Sequence, residues 1–233
     1  ALGDYGVALL RYEQTLKLRE ELGAASELAS ALLDVGIAHL ALNHFAEALQ
    51  FAEKSRVTYA TLNAPAGVAN ALLNIALAHY LQKDFTQALA AADEAAQFAK
   101  QADNDDLWWR ARYRAGKCQQ GLQQLPLARQ AFDEAITLIE KQRVSSPGSR
   151  SNEAKLAPYQ AMVDVLLALN QGGEAFHYSE RAKLRGLLTT LRAGRAWITN
   201  TMTVVEQRGE RRHLDGISLL SAQLAREKEQ HQS

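Results

Sequence analysis

Amide and cationic side chains recur at a fixed interval in the middle of this chain. Asn70 and Arg110 are 40 residues apart, as are Asn74 and Arg114, and Lys117 follows one turn later. An asparagine amide both donates and accepts hydrogen bonds, and an arginine guanidinium presents a planar fork of donors that matches a carboxylate. These residue types favour recognition of a polar or anionic group over bond-breaking chemistry.

Residues suited to catalysis or metal binding are sparse. His39 and His79 are also 40 residues apart, but no further ligand shares their phase, so we interpret them as packing histidines and expect no metal site. Cys118 is the single cysteine, which excludes an internal disulfide, and we expect it to be a small buried residue. No glycine-rich phosphate loop or nucleophile–base set is present. We therefore expect no enzymatic activity, no catalytic residue and no cofactor.

The apolar residues of the elements that position these side chains recur at the same interval. Residues 32–39 are echoed by residues 72–79. Two further series have this interval. Large residues occur at Tyr5, Phe45, Phe85 and Leu125, and alanines occur at Ala8, Ala48, Ala88 and Ala128. Apolar residues at spacings of 3 and 4 predict amphipathic helices. A fixed period in this range indicates a solenoid of stacked helical hairpins and not a single closed core.

Breaks in the pattern divide the chain into units. Pro, Gly and Ser mark a loop at 144–151, after which the interval between equivalent alanines, Ala128 and Ala175, is 47 instead of 40. The predicted organisation is a half unit at 1–24, full units at about 26–63, 66–103 and 105–143, the loop, a divergent hairpin at 152–196 and a polar C-terminal helix at 201–231. The chain opens in mid-unit without Met, so we expect a piece of a longer protein that exposes an apolar face and allows homo-oligomers through that end.

Small and large residues have distinct predicted roles in packing. Gly36 and Ala48 fall where the two helices of a hairpin cross, and a minimal side chain there permits close approach of the backbones. Phe45 and Phe85 follow the turns and are expected to fill the gaps between consecutive hairpins.

Charge and composition limit the classes of partner. The 26 basic residues balance the 26 acidic ones, which does not support a general attraction to nucleic acid or to an anionic membrane. The basic residues of the C-terminal part are interleaved with acidic ones, as on a solvated face. No apolar run approaches the ~20 residues that span a bilayer. We expect a cytoplasmic protein with neither nucleic acid nor membrane as partner.

The repeated offsets resemble the tetratricopeptide repeat (TPR), whose pattern is W-x2-L-G-x2-Y, then A-x3-F, then P. Val35, Gly36 and His39 occupy the L-G and Y places, and Ala48 and Ala52 follow. The Trp is absent, since Leu32, Leu72 and Arg112 stand in its place, and the 40-residue unit is similar to the long-repeat TPR subclass. This resemblance implies an all-α protein, a right-handed α-solenoid of TPR hairpins, that binds a peptide or protein segment in its concave groove.

The resemblance also implies where ligand contacts lie. In peptide-binding TPR proteins, the first helix of each hairpin lines the groove, and the matching positions of this chain are Asp34, Asn70, Asn74, Tyr80, Arg110, Arg114 and Lys117. They resemble half of the carboxylate clamp of chaperone-binding TPR proteins, which predicts an acidic or C-terminal carboxylate ligand. The alternative is a solvated polar face in which Arg110 and Arg114 pair with Asp105 or Asp106.

Two adjacent tryptophans, Trp108 and Trp109, face different sides of their helix, so at most one of them can be fully buried. One alternative places the other at the groove edge as an aromatic anchor for a partner. In the second alternative, one tryptophan packs between hairpins and the other covers a helix end.

A second resemblance concerns residues 174–188, EAFHYSERAKLRGLL. This stretch looks like the last TPR hairpin of bacterial TPR–CHAT proteins, in which a polar helical segment and a caspase-like protease domain follow. The resemblance implies a C-terminal caspase-like domain that is missing here, and an alternative function as the regulatory or sensor arm of such a protease.

Overall fold

The computed structural model describes residues 2–145 and 153–201, with side chains for residues 5–142 and 154–187. Within these ranges the regular structure is helical: α1 Leu2–Leu22, α2 Ala25–Ala41, α3 Phe45–Thr61, α4 Pro65–Leu81, α5 Phe85–Gln101, α6 Asp105–Gly121, α7 Leu125–Ser145, a 3-10 helix Glu153–Leu156, α8 Ala157–Ala168 and α9 Gly172–Thr201. The chain divides into two compact units, residues 1–183 and residues 184–233. Helices α1 to α8 belong to the first unit. Of the second unit, the structure describes residues 184–201, which are helical.

The turns between helices share one backbone geometry. Residues with positive φ occur at positions 23, 43, 63, 83, 103 and 123, each 20 after the last, and again at Asn170. After α2, the N–H of Asn43 donates to the carbonyl of Leu40 and that of His44 to the carbonyl of His39, at 3.0 and 2.9 Å. This pair of bonds is a Schellman motif, which satisfies the last carbonyls of a helix. The repeated motif sets a constant angle of entry for the next helix.

Local chemistry starts several of these helices. The Asp84 carboxylate accepts the backbone N–H of Gln87 at 3.1 Å, and the Asn104 side chain accepts that of Leu107 at 3.0 Å. Each bond satisfies a donor that has no partner inside the helix. Pro65 and Pro158 lie in the first turns of α4 and α8, where a missing N–H has no consequence.

The helices pack consecutively, each against the next in the chain from α1 to α8. In addition, α2 contacts α4, α4 contacts α6 and α6 contacts α8. These four helices therefore lie side by side, and we call the surface that they share the inner face. Behind this face, small apolar residues form the core between α4, α5 and α6, including Ala69, Ala95, Ala99 and Ala111, all with no exposed surface.

Two packing predictions are confirmed. A Cβ built on Gly36 lies 3.4 Å from the Ala48 carbonyl oxygen, so the two helices of this hairpin do approach closely. Phe45 packs against Ala78 of the following hairpin, and the Phe85 ring lies beside Gly121 of the next one. The phenylalanines after the turns thus fill the gaps between hairpins.

Some helix ends differ from the sequence predictions. Helix α7 continues to Ser145, two residues into the predicted loop, and α9 continues past residue 196 to Thr201. The predicted polar helix at 201–231 lies outside the described residues beyond its first position. Among the helices that the structure describes, none combines the length and apolar character needed to cross a membrane.

Candidate functional site

A cavity of about 210 Å³ opens on the inner face where α4, α6 and the start of the last hairpin meet. Its lining includes three of the residues predicted from the sequence, Asn74, Arg110 and Arg114. The remainder is apolar or aromatic: Leu73, Leu77, Trp109, Tyr113, Ala154 and Ala157. Two guanidinium groups and an amide therefore converge on one concave surface that carries no carboxylate.

Arg114 is the most deeply placed of these cations. Its Nε is buried and has no hydrogen-bond partner, and its guanidinium carbon lies 5.9 Å from the centre of the Tyr80 ring. Burial lowers the pKa of the Arg114 guanidinium, and the positive charge of Arg110 acts in the same direction. The group still keeps its proton at neutral pH because an arginine begins from a very high pKa. Arg114 thus supplies a positive charge that is partly removed from water and that forms no ion pair with the residues the structure describes.

The pairing of these arginines with Asp105 or Asp106 is not observed. Asp105 accepts an ion pair from Lys141 at 3.1 Å, and the Asp106 carboxylate accepts a hydrogen bond from Trp109 Nε1 at 3.0 Å. Arg110 is exposed, and no ion pair joins it or Arg114 to a carboxylate among the described residues. Both carboxylates therefore contact other groups and not the two arginines.

The amide of Asn74 is fixed by its own helix, because its Nδ2 donates to the backbone carbonyl of Asn70 at 2.9 Å. This bond leaves the Asn74 amide oxygen and one N–H for a ligand. Lys117 donates to Gln120 Oε1 at 2.9 Å and does not line the cavity. Tyr80 lies behind Arg114 and packs against Phe85, with 5.5 Å between ring centres.

Asp34 occupies the same position in α2 as Asn74 in α4 and Arg114 in α6. Its side chain is exposed and lies outside this cavity. Burial of part of its surface raises the pKa of the Asp34 carboxyl. The inner face therefore carries an acidic group on α2 and a cationic group on α6.

Sequence reasoning missed most of the cavity walls. Trp109 is buried at 5% exposure and lines the cavity, whereas Trp108 packs half-buried against the core between α4 and α6. Ala154 and Ala157 close the far side. Sequence analysis considered one of the two tryptophans for the groove edge, and the one that lines the cavity is the buried Trp109. The sequence did not indicate the two alanines. Because the repeat interval changes after residue 143, residues beyond it cannot be matched to positions in the earlier units.

The groups considered for metal or nucleophilic chemistry have other partners. The Nδ1 atoms of His39 and His44 lie 3.4 Å apart, and the His39 ring stacks on Phe51. Across the part of the chain that the structure describes, no three His, Cys, Asp or Glu side chains form a group able to hold a metal ion. Cys118 is buried, as predicted, and burial raises the pKa of its thiol to about 11. A thiol with so high a pKa is a poor nucleophile at neutral pH.

Comparison with known proteins places the fold. No protein-family model matches the chain, and no curated protein sequence matches it. Among solved structures, BtubC from P. vanneervenii is similar with a TM-score of 0.68 and 16% identity, over 81% of this chain and 75% of that one. A putative kinesin light chain with nearly identical TPR-like repeats from Podosopora anserina gives a TM-score of 0.61 at 12% identity, over 81% and 89%.

A Rap protein complexed with Competence and Sporulation Factor is also similar, with a TM-score of 0.67 and 14% identity. The alignment covers 80% of this chain and 50% of the Rap chain, so this chain spans about half the length of that protein. Identities this low carry information about fold alone. The described part of the chain accordingly has the all-α solenoid fold of TPR-like repeat proteins.

Proposed function

We propose that this chain is a protein-interaction scaffold whose inner face binds an acidic peptide or protein segment, including one that ends in a free carboxylate. The observation that carries the proposal is the unpaired Arg114 guanidinium in the concave cavity, with Arg110 beside it. A buried charge without a counter-ion is costly, and a ligand carboxylate would offset that cost. This role is one of binding, so turnover in a protease assay would contradict it.

The chemistry of the cavity supports a peptide over a small ion. Asn74 offers an amide at the edge of the cavity, and such groups pair with peptide backbone. Trp109 and Tyr113 supply aromatic walls, which are common where side chains anchor an interface. Burial raises the pKa of the Tyr113 phenol, so its hydroxyl keeps its proton at neutral pH and is able to donate a hydrogen bond. The fold also supports the proposal, since the similar Rap protein was crystallised with a bound factor.

Fluorescence polarisation with a labelled peptide tests the proposal. The probe carries two glutamates next to a free C-terminal carboxylate. We expect Arg114→Ala to weaken its binding at least about tenfold, because a partly buried charge pair is lost. Arg110→Glu is expected to weaken binding as well. Since Arg110 is exposed, this second variant should fold like the wild-type protein, which circular dichroism verifies.

Arg56→Ala provides the matched control, because Arg56 lies on α3 and pairs with Glu53 within its own helix. It removes one positive charge away from the cavity and should leave the affinity unchanged. Wild-type affinity in both Arg114→Ala and Arg110→Glu would overturn the proposal.

A second proposal rests on the stretch at 174–188, which lies within α9. Its resemblance to the last TPR hairpin of bacterial TPR–CHAT proteins supports a role as the regulatory arm of a caspase-like protease. The gene sequence beyond the codon for Ser233 tests this idea directly. An α/β domain with a His–Cys pair there would support it, and a different continuation would remove it.

A further inference from the structure

The inner face changes character in a regular way from α2 to α6. Equivalent positions hold Ser30, Asp34 and Ile37 in α2, then Asn70, Asn74 and Leu77 in α4, then Arg110, Arg114 and Lys117 in α6. The formal charge of these triplets is negative, then neutral, then positive. Buried alanines at another phase, Ala31, Ala71 and Ala111, stay the same, so the change in charge is not a general drift of the helices.

The charged groups on α2 and α6, Asp34 and Arg114, form no ion pair with the residues that the structure describes. Arg114 has no carboxylate partner, as described above. Asp34 forms no ion pair among the residues that the structure describes, although burial of part of its surface raises the pKa of its carboxyl. Two opposite charges that lie on one surface and lack partners are complementary to a ligand that carries the reverse order of charges.

An apolar surface lies between and beside these charges. Ile37 is 45% exposed on α2, and Leu77, its equivalent on α4, lines the cavity. Large exposed apolar side chains in a concave surface favour contact with an apolar ligand residue. The inner face therefore offers three kinds of contact in a fixed order.

We propose that the inner face selects an extended protein segment by the order of its residues: a basic residue beside Asp34, an apolar residue against Ile37 and Leu77, and an acidic group at Arg110 and Arg114. This inference rests on the proposed function and adds the part of the ligand that α2 recognises. An all-acidic segment would bring like charge to Asp34, which disfavours binding.

The packing of the helices sets the length of such a segment. Neighbouring packed helices are about 8–10 Å apart, so α2 and α6 are separated by roughly 20 Å. An extended chain advances about 3.3 Å per residue. The basic and acidic residues of the ligand are therefore expected to be about six residues apart.

Two peptides of about eight residues, with acetylated and amidated ends, test this inference. The bipolar peptide has a lysine at one end, a leucine in the middle and two glutamates at the other end. The doubly acidic peptide has a glutamate in place of the lysine. We expect the wild-type protein to bind the bipolar peptide about fivefold more tightly at low salt, because one attraction replaces one repulsion.

Asp34→Lys should reverse this preference, so that the doubly acidic peptide binds more tightly. Glu47→Lys makes the same change of charge on α3, away from the inner face, and should keep the wild-type preference. If the wild-type protein binds the doubly acidic peptide as tightly as the bipolar one, the ordered recognition is wrong, while the acidic site at Arg110 and Arg114 stands. If neither peptide binds, this inference fails, whereas the proposed function is decided separately by the probe with a free C-terminal carboxylate.

Discussion

At the scale of single residues, Arg114 shows how one position of the inner face changes its chemistry along the array. The equivalent residues Asp34 and Asn74 are a smaller acid and an amide, whereas Arg114 extends a long cation over Tyr80 into a concave surface. A buried cation without a partner lowers stability. Its presence in an otherwise well-packed helix is the local observation on which the proposed binding site rests.

Glycines at one repeated position should respond to the same substitution in opposite directions. A Cβ on Gly36 meets its nearest atoms at 3.4–3.6 Å, an ordinary contact, whereas a Cβ on Gly116 would lie 2.5 Å from the Phe132 ring. Phe132 has no exposed surface and so has little room to move. Gly36→Ala should stabilise the protein by roughly 0.5–1 kcal/mol through helix propensity, and Gly116→Ala should destabilise it by roughly 1–3 kcal/mol through overpacking.

Urea unfolding measures both effects as shifts of the midpoint. The chain supplies its own reference, because Ala76 occupies this position in the intervening hairpin and is fully buried there. Shifts of the same sign for the two variants would show that the ring of Phe132 does not decide the outcome.

The predicted residues that line the cavity owe their positions to the repeat period. Asn74, Arg110 and Arg114 line one cavity because residues 40 apart fall on equivalent places of α4 and α6. Tyr113 was not predicted, because the side chains that border a cavity depend on the crossing of neighbouring helices, which a period does not specify. Ala154 was not predicted for a different reason, because it belongs to a short 3-10 helix outside the repeat.

At the scale of elements, the turns allow different residue types to be compared at the same backbone position, the one with positive φ. Asn43, Asn63 and Asp103 adopt positive φ, which asparagine and aspartate tolerate, but Lys83 and Gln123 adopt it too, at 62° and 61°. The left-handed conformation costs an ordinary L-residue about 1–2 kcal/mol. The stacking of the hairpins therefore holds two turns in a conformation that their own residues disfavour.

Replacement of Lys83 by glycine should relieve this strain. Glycine removes the strain of the left-handed conformation, but it also loses more conformational entropy on folding than lysine does. We expect the net effect of Lys83→Gly to be an increase of about 0.5–1 kcal/mol in the free energy of unfolding. Thermal unfolding followed by circular dichroism measures the change. Asn63→Gly is the control and should have a smaller effect, because asparagine already accepts this conformation. A lower melting temperature for Lys83→Gly would contradict the account of the turn.

The sequence predicted some of these turns by composition and others only by their interval. Asn43 and the pair Asn63 and Pro65 are recognisable turn residues. Lys83 and Gln123 have no such preference, and only the repeat indicates that helices end there. The extension of α7 to Ser145 was not predicted, because a break in composition marks a helix end only to within a few residues.

At the scale of the whole molecule, stability should vary along the solenoid. In such arrays each element gains stability from its neighbours. Helix α1 packs mainly against α2 and leaves Val7, Leu10 and Leu18 more than half exposed, whereas α5 lies between α4 and α6. We expect the backbone amides of α1 to exchange with solvent at least about tenfold faster than those of α5, because they open locally.

Hydrogen exchange followed by mass spectrometry measures this difference on the unmodified protein. Helix α3, which contacts both α2 and α4, serves as the internal control and should be protected like α5. Equal exchange in α1 and α5 would indicate one cooperative unit from end to end.

The turns at 20-residue intervals also bear on how such a surface changes in evolution. Each turn closes one helix and opens the next with the same bonds, so duplication of residues 64–103 would add a hairpin with matching ends. That insertion would move Arg114 about 10 Å further from Asp34 and lengthen the complementary ligand by about three residues. A change in the number of hairpins would thus change the length of the proposed ligand, while Asp34 and Arg114 would still recognise its two charged ends.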